Sequence, residues 1–357
     1  MRIGVLLLSP QFPGQTHSDV LDATVAAAVA AEEAGFDDVW VAEHHFISYG
    51  VCPSALTMAG YLLGATRRVV VGTAVTVLTT QHPVAVAEQV LLLDQVSRGR
   101  FRLGVGRGGP WIDLAVFGPA PHGHHADFPE ALDVLLAALT GAPVLGSGPA
   151  YGFPEIEVVP SPRTSPRPGV VVAATSGPTV DLAAHRGLPL LLGMHADDAE
   201  KAAMIARHRA SLGGKATGDD ALGNDVRHVG AGIAYVADSD DEALAVVRER
   251  LPAWLGPGLA GYRRADGTPH RTRDPHAYTD HLCELHPVGS VERCRALMIE
   301  TAARTGIRHT VLMVEAAGDP ARTRENIYRL GTEVLPAVRR SSATQQGVAP
   351  EPVDVRH

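Results

Sequence analysis

Cysteine is scarce in this chain. Cys52, Cys283 and Cys294 are an odd three with no CxxC spacing. They suggest neither a disulfide framework nor a structural zinc site, and a reducing cytoplasm fits. Aromatic residues are also few, at 5%, which leaves little material for a base-stacking surface. Positive charge is not in excess. The formal net charge of −8 argues against nucleic acid or an anionic membrane as the main partner. No apolar run approaches the length of a membrane-spanning helix. Residues 1–8 are too short for a signal-peptide core and are stopped by Pro10 and Pro13, so they read as a first strand. The turn that follows, Ser9 to His17, lacks the GxGxxG that a dinucleotide-binding open sheet would want there. A GxSxG nucleophile elbow is missing too.

What is present is length and alternation. The 357 residues are 45% hydrophobic, enough for one large α/β barrel or two smaller domains. Strands are expected over 2–8, 38–41, 69–75, 101–105, 170–172, 188–192, 230–236 and 309–314. The runs at 69–75 and 170–172 are continuously apolar, as in strands that parallel sheets bury on both faces. Between them lie helical stretches, at 18–34 (capped by Ser18 and ended by Gly35), 54–64, 83–96, 179–186, 197–211, 240–251, 290–305 and 322–338. Eight alternations predict an α/β fold, a single (β/α)8 TIM barrel over 1–340. The Pro- and Gly-rich stretch 141–169 predicts an insertion after strand four. The weakly periodic stretch 255–287 predicts a mobile lid after strand seven, and 341–357 a disordered tail.

In a parallel barrel the C-terminal strand ends carry the chemistry. After strand two comes Glu43-His44-His45, three titratable side chains that suit either a reaction site or a solvated loop start. After strand four comes Gly106-Arg107-Gly108-Gly109, where small residues admit a ligand and a guanidinium offers donors to phosphate. After strand five comes Thr175-Ser176-Gly177-Pro178-Thr179, hydroxyls and free N–H groups at a helix start, an arrangement suited to an anion. Together the last two read as halves of one phosphate clamp, with ordinary capping and a glycine turn as the alternative. A metal site is not expected. His44 and His45 are adjacent and would point apart on extended backbone. The run Pro121-His122-Gly123-His124-His125 has no matching ligand spacing.

Several motifs in order resemble the bacterial luciferase-like flavin-dependent monooxygenases, the α subunit of bacterial luciferase above all. They are Ala42-Glu43-His44-His45-Phe46, Gly72-Thr73-Ala74 continuing to His82-Pro83-Val84, and Leu93-Asp94-Gln95-Val96-Ser97-Arg98-Gly99-Arg100-Phe101. Gly187-Leu188-Pro189 and His286-Pro287-Val288-Gly289 extend the likeness over nearly the whole chain. The resemblance implies a TIM barrel binding FMN that is delivered reduced by a separate NAD(P)H-dependent flavin reductase. It implies reaction with O2 through a flavin C4a-hydroperoxide to oxygenate a small organic substrate. By position, His44 matches the active-site histidine and Glu43 a residue that orients or tunes it. Ala74 and Val75 match a place where the family often has a non-prolyl cis peptide behind the flavin. Arg107, Thr175, Ser176 and Thr179 match the FMN phosphate site.

Departures from the pattern carry expectations of their own. Gly106 stands where bacterial luciferase has a reactive cysteine, which predicts a larger space above the flavin. Thr175 replaces an acidic residue. Trp254 and Gly109 are candidate lining of the substrate pocket, with packing the alternative for Trp254. An aldehyde is one substrate and an aromatic or polyketide metabolite, of the kind modified in secondary metabolism, is another. Two further readings stay open on the same fold: an F420-dependent oxidoreductase, and a catalytically silent flavin-binding subunit. A homodimer through the helices after strands two and three is expected, with Ala55, Ala59, Gly60 and Gly64 allowing close contact.

Overall fold

The computed structural model describes residues 1–117, 124–213 and 227–345. Among these, eight parallel strands close into a barrel. They are β1 (Arg2–Leu7), β2 (Asp38–Val41), β3 (Val70–Thr73), β4 (Phe101–Gly106), β5 (Val170–Ala174), β6 (Leu190–Leu192), β7 (Val229–Ile233) and β8 (His309–Met313). Each pairs in parallel with the next, and β8 returns to β1. Helices pack around the outside, as the alternation predicts.

Strand residues divide by parity between two cores. Val5, Val39, Val71, Val105, Val172 and Leu312 face the helices. Leu6, Trp40, Val171, Ala231, Val311 and Met313 fill the barrel itself. Trp40 is the largest side chain of that interior, and Gly72 on the next strand makes room for it: a Cβ there would meet the indole at 2.6 Å. Two residues before Trp40, on the same face, the fully buried Asp38 gathers three donors. Arg2 Nε donates to it at 2.6 Å, Trp40 Nε1 at 2.6 Å, and His309 Nε2 lies 3.0 Å away. Burial alone would raise the Asp38 pKa, but His309 and Arg2 outweigh it and hold the carboxyl below the ordinary value.

The structure corrects several boundaries. The first helix, His17–Glu33, is capped by Thr16 and not Ser18, because Thr16 and Asp19 form a reciprocal capping box. The third strand is interrupted after Thr73 by the cis peptide Ala74–Val75 and resumes only at Thr76–Val77. Thr73 Oγ1 bridges the break by bonding both the Gly104 carbonyl and its N–H. Between β4 and β5 the chain carries helices Ile112–Phe117 and His124–Ala138 as well as the expected short extended pieces, which pair as an antiparallel hairpin, Val144–Ser147 with Gly152–Ile156. Neither helix was legible in the sequence.

The expected lid is largely helical. Helix Asp240–Ala260 runs through Pro252 and Pro257, and Pro275–Leu285 forms another, so 261–274 and 286–287 are what lacks a regular element. The long helix survives its prolines because Val247, Leu251, Trp254, Leu255 and Gly258 bury one face at helical spacing, which offsets the lost hydrogen bonds. The last helix, Leu335–Gln345, enters the expected tail, whose remainder, 346–357, lies outside the described residues. Residues 121–123 of the histidine-rich run also lie outside them, and His124 and His125 begin a helix.

Candidate active site

Glu43 sits just past β2 and is 6% exposed. Its Oε2 accepts from the Ala55 N–H and its Oε1 from the Val77 N–H, both at 3.0 Å. Its nearest imidazole is His45, whose Nε2 lies 3.6 Å from Oε1. Glu43 therefore ties the mouth of β2 to the next helix and to the end of β3. Among the described residues, its polar partners do not include His44.

His44 is positioned by other means. Its N–H donates to the Cys52 carbonyl at 3.0 Å. Its ring meets Tyr49 edge-on, with centroids 5.0 Å apart. Nδ1 is buried without a hydrogen-bond partner and rests on Gly50, where a Cβ would approach it to 2.5 Å. The ring lines a cavity. Burial, aided by the neighbouring His45, pushes the His44 pKa down to about 4, so the ring is neutral near pH 7.

Both histidines line one cavity of about 180 Å³, together with Glu43, Val75, Gly109 and Asp113. The expectation that His45 points elsewhere fails: β2 ends at Val41, residues 42–46 form no strand, and strict strand alternation does not apply to them. Trp254, in turn, is not at this cavity. It is 2% exposed, stacks on Tyr49 at 4.6 Å and donates its Nε1 to the Tyr49 carbonyl at 3.1 Å. It supports the residue that supports His44. Gly109 does line the cavity, and the Trp111 indole packs directly on it.

The peptide bond between Ala74 and Val75 is cis, at the position the resemblance implies. A Cβ at Gly106 would meet Val75 Cγ2 at 2.6 Å. The space expected from the missing cysteine is thus taken by the valine side chain.

Arg107 and the Thr175–Thr179 stretch sit at neighbouring strand ends, since Val105 pairs with Val172. The Arg107 carbonyl accepts from Thr79 Oγ1 at 2.6 Å, and burial lowers its guanidinium pKa. Helix Gly177–His185 begins with Ser176 as N-cap, but the Ser176 side chain makes no capping bond. Its hydroxyl lies 3.1 Å from Thr179 Oγ1. Thr175 is exposed and Thr179 is buried. One residue was missed by sequence reasoning. Arg207, from helix Asp198–Ser211, lays its guanidinium on Gly177, where a Cβ would meet Nη1 at 2.6 Å. Arg207 also donates to Asp181 at 2.9 Å from Nε, and hydrogen bonds from Arg207 and Ser211 hold the Asp181 pKa down to about 2. No signal marks Arg207 among the other charges of its polar helix. The result is a helix start without a side-chain cap, two hydroxyls and Arg207 in one place, an arrangement suited to an anion, with Arg107 at the end of the neighbouring strand.

Comparison with known proteins shows the family. The sequence profile of the family described as luciferase-like monooxygenase matches residues 1–309. The alkanal monooxygenase alpha chain of Photobacterium leiognathi is 29% identical over 360 residues, covering 95% of this chain and 99% of that one. The fold is similar to that of monooxygenase RslO1 from Streptomyces bottropensis, with a TM-score of 0.80, 20% identity and coverage of 94% and 99%. It is similar to the oxygenating constituent of 3,6-diketocamphane monooxygenase from Pseudomonas putida, solved in complex with FMN (TM-score 0.74, 20% identity, coverage 94% and 98%). An F420-dependent secondary alcohol dehydrogenase, solved with an F420–acetone adduct, shares the fold at a TM-score of 0.70, 20% identity and coverage of 95% and 99%. On the family match, which spans most of the chain, the protein belongs to the luciferase-like monooxygenases.

Proposed function

We propose that this chain is a monooxygenase that takes reduced FMN and O2 and oxygenates a small organic substrate. The observation that carries this reading is the arrangement of the mouth. A neutral, buried imidazole and the cis Ala74–Val75 edge open on one cavity, and an anion cradle forms at the ends of β4 and β5. The residues fit the cofactor. Arg107, Arg207, Ser176, Thr175 and Thr179 would hold the phosphate, and Ala74, Val75 and Gly106 would border the ring. When bound, reduced FMN supplies the two electrons that let O2 give one oxygen atom to substrate and one to water. His44 holds or moves a proton at Nε2, and burial around it excludes water. A separate NAD(P)H-dependent reductase would supply the reduced flavin. The likeness to alkanal and diketocamphane monooxygenases supports the same reading.

The second reading, an F420-dependent oxidoreductase, rests on the shared fold of the alcohol dehydrogenase. Anaerobic titration separates the two. The protein should bind photoreduced FMN more tightly than reduced F420; the reverse order would favour hydride transfer without O2. Arg107→Ala should weaken FMN by about 1.5–3 kcal/mol, the scale of a charged hydrogen bond. Equal affinity in a fluorescence titration would remove Arg107 from the clamp.

The homodimer is also proposed. Tyr61 on helix Ala55–Ala65 is 66% exposed, and Leu92 and Val96 on helix Pro83–Ser97 are 52% and 66% exposed. These apolar side chains on adjacent helices suit a partner surface. Ala55 and Ala59 do not contribute to it, because they are fully buried against the barrel. Light scattering should give twice the 37.5 kDa of the chain, and a monomer mass would contradict it.

A further inference from the structure

The cavity beside His44 has a far wall that the proposed function leaves without a role. Asp113, in helix Ile112–Phe117, is 6% exposed, and its Oδ1 is buried with no hydrogen-bond partner among the described residues. His45 Nε2 is likewise buried without one. Both side chains line the cavity. Such orphaned atoms are costly in a finished interior, and natural structures seldom keep them without a ligand or water.

The rest of the wall is aromatic. Trp111 and Tyr262 line it with their rings 4.8 Å apart. Backbone bonds hold this wall in place: the Ile112 N–H donates to the Arg263 carbonyl at 2.8 Å, and the Ala265 N–H to the Pro110 carbonyl at 2.9 Å. At about 180 Å³ the chamber matches one aromatic ring, since an engineered apolar cavity of about 150 Å³ takes up benzene. Burial raises the Asp113 pKa; while ionised, the carboxylate only accepts hydrogen bonds, so its missing partner is a donor. An aldehyde brings none, whereas a phenol brings one O–H on a flat ring.

We propose that the substrate class is a hydroxyl-bearing aromatic ring, bound against the wall formed by Trp111 and Tyr262 with its hydroxyl donating to Asp113 Oδ1. His45 Nε2 is the second polar contact for the same oxygen. The proposal rests on the monooxygenase reading for its role as substrate, but binding can be measured without turnover.

The test is calorimetry on the FMN-loaded protein with three probes: p-cresol, its methyl ether p-methylanisole, and decanal. The wild type should bind p-cresol, and the ether at least about tenfold more weakly, the scale of one hydrogen bond to a charged group. Asp113→Ala should abolish that discrimination, and Asp113→Asn should reduce it if the alanine variant does not fold. FMN affinity of the variants, followed by flavin fluorescence, should stay within about twofold of wild type. Equal binding of cresol and ether, binding of neither, or tight decanal binding indifferent to Asp113 would each overturn the proposal. Failure of the wild type to bind FMN would instead sink the flavin reading. The phenol-to-ether ratio would still be measurable on the unloaded protein.

Discussion

His44→Ala should lower turnover by about two to four orders of magnitude, the usual contribution of a positioned proton-transfer group, while reduced FMN binds with near-normal affinity. The argument is geometric. The imidazole is fixed by an edge contact to Tyr49 and a close seat on Gly50, and it lines the cavity. Its pKa is already pushed down to about 4 by burial. Loss of its lone pair on protonation should therefore reduce activity only as the pH falls toward 4. At neutral pH this group should impose no titration on kcat. Gly50→Ala tests the same point from the other side. Its new Cβ would collide with Nδ1 and with the Leu8 carbonyl, each at 2.5 Å, so the ring must move. Activity should fall with FMN binding retained. Unchanged turnover in steady-state assays of both variants would remove His44 from the chemistry.

Asp38→Ala should destabilise the barrel by about 3–5 kcal/mol, the cost of breaking a buried charge pair and leaving its partners behind. Three groups converge on this carboxylate from β1, β2 and β8: Arg2, Trp40 and His309. The substitution strands a buried indole N–H and removes the acceptor from beneath the central tryptophan. Urea unfolding should report the loss as a lower midpoint. The pH dependence has a definite sign. The folded pKa of Asp38 lies below its unfolded value, so its contribution is present above about pH 4 and is lost as the pH falls through the folded pKa. An unfolding midpoint within error of wild type would show that the cluster is incidental.

The barrel was legible because its signal is redundant. Eight apolar runs separated by helical periodicity predict one architecture even when single boundaries slip, as at Thr16 and after Thr73. The helix expected to end at 251 runs on to Ala260, through Pro252 and Pro257, with Leu251, Trp254 and Leu255 buried, a tertiary effect that weak periodicity in the sequence does not show. At the site, residue types at strand ends were readable, but directions were not. That His45 shares the cavity with His44 follows from the strand ending at Val41, before both, and β-pattern alternation cannot foresee it. Glu43 gives its carboxylate to two backbone N–H groups whose donors lie 12 and 34 residues away. Arg207 reaches the cradle from a helix that follows a different strand. Asp113 becomes notable only once its oxygen is seen to lack a partner. Each of these depends on contacts between elements, which spacing along one sequence does not encode.

The central claim is that reduced FMN and O2 are used together at this barrel mouth. It is tested most directly by mixing the protein, loaded anaerobically with photoreduced FMN, with oxygen-18 gas and p-cresol. The account predicts one O2 consumed per reduced flavin, and a product carrying one labelled oxygen atom by mass spectrometry, with the yield collapsing in His44→Ala. Reduced flavin that reoxidises at the rate of free FMN, with no label in any organic product, would contradict it.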